Sequence, residues 1–226
     1  MRLILKAATF DAAGTLFHLK EPVGATYARF GRECGLNLGE SELDSGFRAA
    51  WKSAPALHSP TETEVTRDPE QAEIQWWRDL VDETFRHAGM TDPLPVPLFP
   101  ALFEHYSEPC AWELFPETLE SLDRLVSRFP LAVISNFDRR YHRIALGLGL
   151  SEYFQHVILS AEIGAAKPSG TIFRVASRAL GCDPDAILHV GDDPANDWEG
   201  AAAAGFQVFR LQRPRLTLKD LCQSLD

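Results

Sequence analysis

Short apolar runs rich in β-branched and aromatic residues alternate with amphipathic stretches of helical period, and that alternation limits the folds open to this chain. The runs at 3–10, 131–135, 156–160, 186–191 and 206–211 read as strands. Their nearly continuous apolar character is that of strands buried on both faces. Between them, 116–128 places Leu119, Leu122, Leu125 and Val126 on one helical face, with Pro116 suited to a helix start. The stretches 168–180 and 194–204 follow the same period, the latter closed by Gly205. Strands and helices in this order predict an α/β fold, a parallel sheet covered by helices.

One region breaks the pattern. Helical periods appear at 23–34, 41–52 and 68–88, the last with Ile74, Trp77, Leu80, Val81, Phe85 and Ala88 along one stripe. No strand is read between 21 and 110. A polar, Pro-containing loop covers 53–69, and 91–100 reads as a hinge. A helical cap over 18–110 is therefore expected, inserted into a core made of 1–17 and 111–226.

At 226 residues the chain can bury a sizeable core. Its formal net charge of -10 argues against a nucleic acid or an anionic membrane as partner, because phosphate backbones reward basic surfaces. Cys34, Cys110, Cys182 and Cys222 are scattered without a CxxC pair, so reduced thiols in a cytoplasmic protein are expected. Lys6 and Asp11 interrupt the apolar N-terminal run, which does not read as a signal peptide.

In open α/β sheets the ligand lies beyond the carboxyl ends of the strands. Asp11 and Thr15 follow the first strand, and Ser135-Asn136 end the second. Lys167 follows the third through "SAEIGAAKP", and Asp192, Asp193 and Asp197 follow the fourth in "GDDPAND". Singly, each has an ordinary reading as a turn or a helix cap. Together, in order, they make a carboxylate cluster beside hydroxyl and ammonium donors. Facing carboxylates need a cation, and hard oxygen ligands suit Mg²⁺. Such a site fits phosphoryl transfer, with a carboxylate as nucleophile.

These motifs resemble the haloacid dehalogenase-like hydrolase superfamily along essentially the whole chain. "DAAGT" matches DxDGT except at Ala13, and Ser135, Lys167, and Asp192 with Asp197 match its remaining motifs. "ISNFDRR" and "VGDDPANDWEGA" are most similar to the subgroup of haloacid dehalogenase-like hydrolase domain-containing protein 3. The resemblance implies a Rossmann-like core with a helical cap, and a small phosphorylated metabolite as substrate. It makes Asp11 the nucleophile. Asp11, the Ala13 carbonyl, Asp192 and Asp197 would bind Mg²⁺, while Thr15, Ser135, Asn136 and Lys167 would hold the phosphoryl group.

Ala13 stands where family phosphatases carry the Asp that protonates the leaving oxygen, help worth about 10²–10⁴-fold in rate. Three readings follow. A weak or specialised phosphatase would use a substitute acid, Asp138 or Asp193, or a substrate with a good leaving group. A phosphonatase-like C–P hydrolase also carries Ala here and uses a cap lysine as a Schiff base, with Lys52 the candidate. A catalytically impaired protein would bind phosphate and Mg²⁺ for regulation. A metal-free dehalogenase is disfavoured by the acidic cluster. Trp76, off its helical stripe, is a further candidate to face a substrate. The basic run Arg139, Arg140, His142 and Arg143 reads as a solvated face.

Overall fold

A computed structural model describes residues 5–57 and 68–226. Residues 3 and 4 of the expected first strand, and the middle of the polar loop 53–69, lie outside the described residues. The chain forms β1 (Ala7–Phe10), β2 (Phe17–Leu19), α1 (Val23–Glu33), α2 (Glu40–Ser53), α3 (Pro69–His87), α4 (Leu98–His105) and β3 (Trp112–Leu114). There follow α5 (Thr118–Val126), β4 (Leu131–Ser135), α6 (Arg140–Gly147), β5 (His156–Leu159), α7 (Ser160–Ile163) and α8 (Gly170–Leu180). The last elements are β6 (Ile187–Gly191), α9 (Gly200–Ala203), β7 (Gln207–Arg210) and α10 (Leu218–Leu225).

The five apolar runs form one parallel sheet in the order β5-β4-β1-β6-β7, so the expected Rossmann-like α/β core is present. β1 is central: Phe10 pairs with Val133 of β4 and with Val190 of β6. One face of the sheet packs Phe10, Val133, Leu188 and Val190 against Leu122, Leu125, Ile144 and Leu221. The other packs Ala7, Ile134 and Ile158 against Ile172, Phe173 and Ala176 of α8. Burial on both faces is what their unbroken apolar sequences required. Each fully buried Val, Leu, Ile or Phe contributes about 1.5–3 kcal/mol.

A third core gathers Val23, Tyr27, Leu43, Val81, Phe85, Leu98 and Leu102 from α1–α4. Asp68 caps α3 by accepting from the Glu70 amide at 3.2 Å, and Pro69 opens its first turn. A Cβ at Gly46 would collide with the Thr84 carbonyl, so glycine is what lets α2 settle onto α3.

The β2–β3 pair and α4 were not anticipated. β2 and β3 pair antiparallel, with His18 opposite Glu113, joining the two chain crossings between the sheet and the helical region. α4 begins inside the stretch read as a hinge, because Pro97 and Pro100 fall at its cap and first turn, where no amide donor is lost. Among the described residues no helix is long and apolar enough to cross a membrane.

Candidate active site

Asp11 directly follows β1, and its amide donates to Val190 O at 2.9 Å, so sheet bonding fixes its backbone. The chain then turns tightly: Thr15 and Leu16 amides donate to Ala12 O at 3.2 and 2.7 Å, and Gly14 N donates to Phe17 O at 2.8 Å. Gly14 has φ +94°, and a Cβ there would lie 2.5 Å from Asp192 Oδ2. Only glycine suits both the left-handed backbone and that approach.

Four strand ends then converge. Ser135 Oγ donates to Asp11 Oδ1 at 3.0 Å, and Lys167 Nζ donates to the same oxygen at 2.7 Å. Lys167 Nζ also donates to Asp197 Oδ1 at 2.5 Å. Asp197 enters from a π-type turn, Pro194–Glu199, that follows β6. Its Oδ2 accepts from the Asp193 amide at 3.0 Å. Gly191 must lack a side chain, since a Cβ there would overlap the Asp197 carboxylate. Oxygens of Asp11, Asp192 and Asp197 lie within 4.8 Å of one another. Three hard carboxylate donors at that spacing fit a small divalent cation of the Mg²⁺ type.

The charges set each other. Burial works against the Lys167 ammonium, but Asp11 and Asp197 outweigh it and hold its pKa above the ordinary value. Burial raises Asp11, opposed by the adjacent lysine. It also penalises the Asp197 carboxylate, yet Lys167 and His189 prevail and hold that pKa well below the carboxylate range. Asp192 is open to the cavity. The surrounding protein and the charge of Asp11 still push it up to about 6, against a Thr15 hydrogen bond. A divalent ion would relieve this repulsion.

Two expected phosphate ligands are engaged elsewhere. Thr15 is fully buried and donates from Oγ1 to Asp192 Oδ1 at 3.0 Å, so it orients a carboxylate instead of lining the cavity. Asn136 reaches the wall, but its Nδ2 donates to Lys167 O at 2.9 Å and its Oδ1 accepts from Lys167 N at 2.7 Å. Ala13 is exposed on the wall, with no proton to give.

Both substitute acids carry hydrogen bonds elsewhere. Asp138 is buried, accepts from the Arg140 amide and guanidinium, and accepts from Trp77 Nε1 at 2.5 Å. Asp193 caps the π-type turn through Oδ1, which accepts from the Ala195 and Asn196 amides at 2.9 and 2.7 Å. Lys52 is exposed on α2 and is not among the residues lining the cavity. Trp76 is likewise off the wall, donating to Pro55 O at 3.0 Å, whereas Trp77 is on it.

Three features escaped the sequence reading. His189, fully buried in β6, meets Thr9 Oγ1 at 2.9 Å and Asp197 Oδ1 at 3.2 Å. A lone histidine inside the apolar run "AILHVG" was the available signal, since a buried imidazole needs partners. Arg140, read as part of a solvated face, lies 4.4 Å from the ring centroids of both Trp77 and Phe103 and reaches the cavity wall. Its neighbours do fit that reading, Arg139 pairing with Glu73 and Arg143 with Glu104 and Glu108. Finally, the cavity of about 700 Å³ above the carboxylates carries aromatic side chains on both sides.

A family model for haloacid dehalogenase-like hydrolase matches residues 5–205. Haloacid dehalogenase-like hydrolase domain-containing protein 3 of Homo sapiens is 36% identical over 216 residues, covering 95% of this chain and 84% of that protein. A HAD phosphatase from Thermococcus onnurineus aligns with a TM-score of 0.65 at 24% identity, over 98% of each chain. L-2-haloacid dehalogenase from Xanthobacter autotrophicus aligns with a TM-score of 0.68 at 20% identity, over 98% of this chain and 82% of that one. The two solved structures carry different chemistries on one fold, so they speak for the fold alone. Sequence matches spanning sheet, cap and all four strand ends carry the assignment: this chain belongs to the haloacid dehalogenase-like hydrolase family.

Proposed function

We propose that the chain is a Mg²⁺-dependent phosphatase acting on a small phosphorylated metabolite of the cytoplasm through an aspartyl-phosphate on Asp11. The observation that carries this reading is the carboxylate triad Asp11, Asp192 and Asp197, offset by the single buried ammonium of Lys167. Three carboxylates against one cation suit a site that takes a divalent ion and a phosphoryl group. They suit metal-free attack on carbon poorly.

In this reading the carboxylates of Asp11, Asp192 and Asp197 and the Ala13 carbonyl would hold the ion. Bound there, Mg²⁺ supplies charge neutralisation for the phosphoryl oxygens. Asp11 attacks phosphorus, and Ser135 and Lys167 donate to the phosphoryl oxygens. Thr15 and Asn136 act one step back, on Asp192 and on the Lys167 backbone. The cap helices exclude water and supply the wall that meets the leaving group. The C–P hydrolase alternative requires Lys52 at the reacting centre, and the exposed place of that residue gives it no support.

The test is phosphate release from a panel of phosphomonoesters and acyl phosphates with Mg²⁺. Asp11→Asn is expected to lower turnover by roughly 10⁴-fold or more. Wild-type turnover in Asp11→Asn would refute the mechanism. No turnover by the wild type, with activity gained in Ala13→Asp, would leave a phosphate- and Mg²⁺-binding protein instead.

A further inference from the structure

Two features of the cavity bear on which oxygen departs from phosphorus. The first is that, among the described residues lining the cavity, no carboxyl group outside the triad is free of hydrogen bonds. Ala13 offers a methyl group, and the two other described carboxyl groups on the wall outside the triad, Glu21 and Asp193, each have one oxygen engaged. Glu21 Oε2 accepts from Arg29 at 3.2 Å and from Thr26 at 3.4 Å, and Asp193 Oδ1 accepts from two amides. His18 has Nδ1 2.8 Å from Leu19 O, and its ring lies 4.7 Å from that of Phe115.

The second is the wall itself. Tyr27, Phe47, Trp51 and Trp77 line it from the cap helices, and Trp112 and Phe137 from the core side. The cap rings touch in series, with centroids 6.3 Å apart for Tyr27 and Phe47, 5.7 Å for Phe47 and Trp51, and 6.2 Å for Trp51 and Trp77. Trp112 and Phe137 are 5.7 Å apart. A phosphoryl group alone would leave the apolar part of the cavity unfilled. An aromatic leaving group would stack on it.

Both features point to the same chemistry. A phenol has a pKa of about 10, whereas an aliphatic alcohol lies near water, at about 16. A phenolate therefore leaves without a proton where an alkoxide does not. We propose that the site takes the phosphate monoester of an aromatic hydroxyl, an aryl phosphate, with its ring against the aromatic wall. The proposal rests on the phosphoryl-transfer reading above and names its substrate class. Asp11 forms a bond to phosphorus as the phosphorus–oxygen bond to the aryl group breaks, and that electron pair leaves on the phenolate. Water then cleaves the aspartyl-phosphate at phosphorus. Asp11 is regenerated as carboxylate, and the water divides into the hydroxyl of hydrogen phosphate and a proton released to solvent.

Three substrates separate the two features, with Mg²⁺ present: phenyl phosphate, benzyl phosphate and acetyl phosphate. Phenyl and benzyl esters share a ring but differ in leaving-group acidity. Wild-type kcat/KM is expected to favour phenyl over benzyl phosphate by about 10²-fold or more. Ala13→Asp is expected to narrow that ratio by raising benzyl turnover. Phenylphosphonate, which is not hydrolysed, should inhibit at least tenfold more tightly than methylphosphonate, and Phe47→Ala should shrink that preference. Equal kcat/KM for phenyl and benzyl phosphate would overturn the proposal and direct attention to a proton donor such as His18. So would phosphonates of equal affinity. If acetyl phosphate is still cleaved in an Asp11-dependent way, only the aryl assignment falls. If no substrate is cleaved in that way, the phosphoryl-transfer reading fails and takes this inference with it.

Discussion

Asn136 grips Lys167 by both sides of its backbone, the side-chain amide donating to the lysine carbonyl at 2.9 Å and accepting from its amide at 2.7 Å. Lys167 sits on a loop between α7 and α8, yet its ammonium must meet Asp11 and Asp197 within hydrogen-bond distance. The two-point clamp is what gives a loop residue the precision of a sheet residue.

Removing the clamp should therefore act through Lys167. Asn136→Ala is expected to lower kcat/KM by roughly 10²-fold, the usual consequence of a misplaced catalytic group. Lys167→Ala on that background should add little, because the two residues work as one unit. A double mutant whose losses simply multiply would show that Asn136 acts on something else.

Thr15 supports the proposed cation site in the same indirect way. Its buried hydroxyl donates to Asp192 Oδ1 at 3.0 Å, fixing a carboxylate whose pKa the surrounding protein and the charge of Asp11 push up to about 6. Thr15→Val keeps the shape and loses the donor. Mg²⁺ affinity, measured by calorimetric titration, should fall about 10–100-fold. Chelation with EDTA should abolish turnover in both proteins. Unchanged affinity in Thr15→Val would remove the hydroxyl from the metal argument.

The parallel sheet and the identity of its four polar strand ends were legible because each is a local pattern. A run such as "LAVIS" carries its own burial signal, and Ser135 follows from where the run stops. Directions of side chains were not legible. Thr15 turns toward Asp192 beside a Gly14 at φ +94°, and Asn136 turns toward a backbone 31 residues away. β2 and β3 are three residues each and pair across the whole cap insertion, so neither shows a period. The aromatic wall is assembled from α1, α2, α3, β3 and the loop after β4, and no single segment announces it.

His189 links the sheet interior to the site. Its ring bonds Thr9 on one side and Asp197 on the other, and all three are buried. His189→Phe keeps most of the volume but strands the Thr9 hydroxyl and removes one donor from Asp197. Leaving buried polar groups unpaired costs about 1–3 kcal/mol. The urea midpoint should fall accordingly, with the denaturant slope unchanged. An unaltered midpoint would mean that neither partner depends on the ring.

Glu117 and Arg213 brace the loop that follows Asp11. Arg213 Nη1 donates to Glu117 Oε1, Nη2 donates to Thr15 O at 2.9 Å, and the guanidinium lies 3.6 Å from the Phe115 ring centroid. Burial alone raises the Glu117 carboxyl, but the hydrogen bond and charge of Arg213 outweigh it, and the net pKa is lowered from 4.5. A carboxylate lowered on folding stabilises the fold above its unfolded pKa, because there it is ionised in both states and paired only in the native one. That contribution is lost as pH falls from about 4.5 through the lower folded value. Glu117→Gln should therefore cost about 1–3 kcal/mol at pH 7, and the deficit against wild type should shrink as pH drops below 4.5. Urea midpoints measured from neutral pH down to pH 3 check this. A deficit that stays constant across that range would show that the pair contributes shape and not charge.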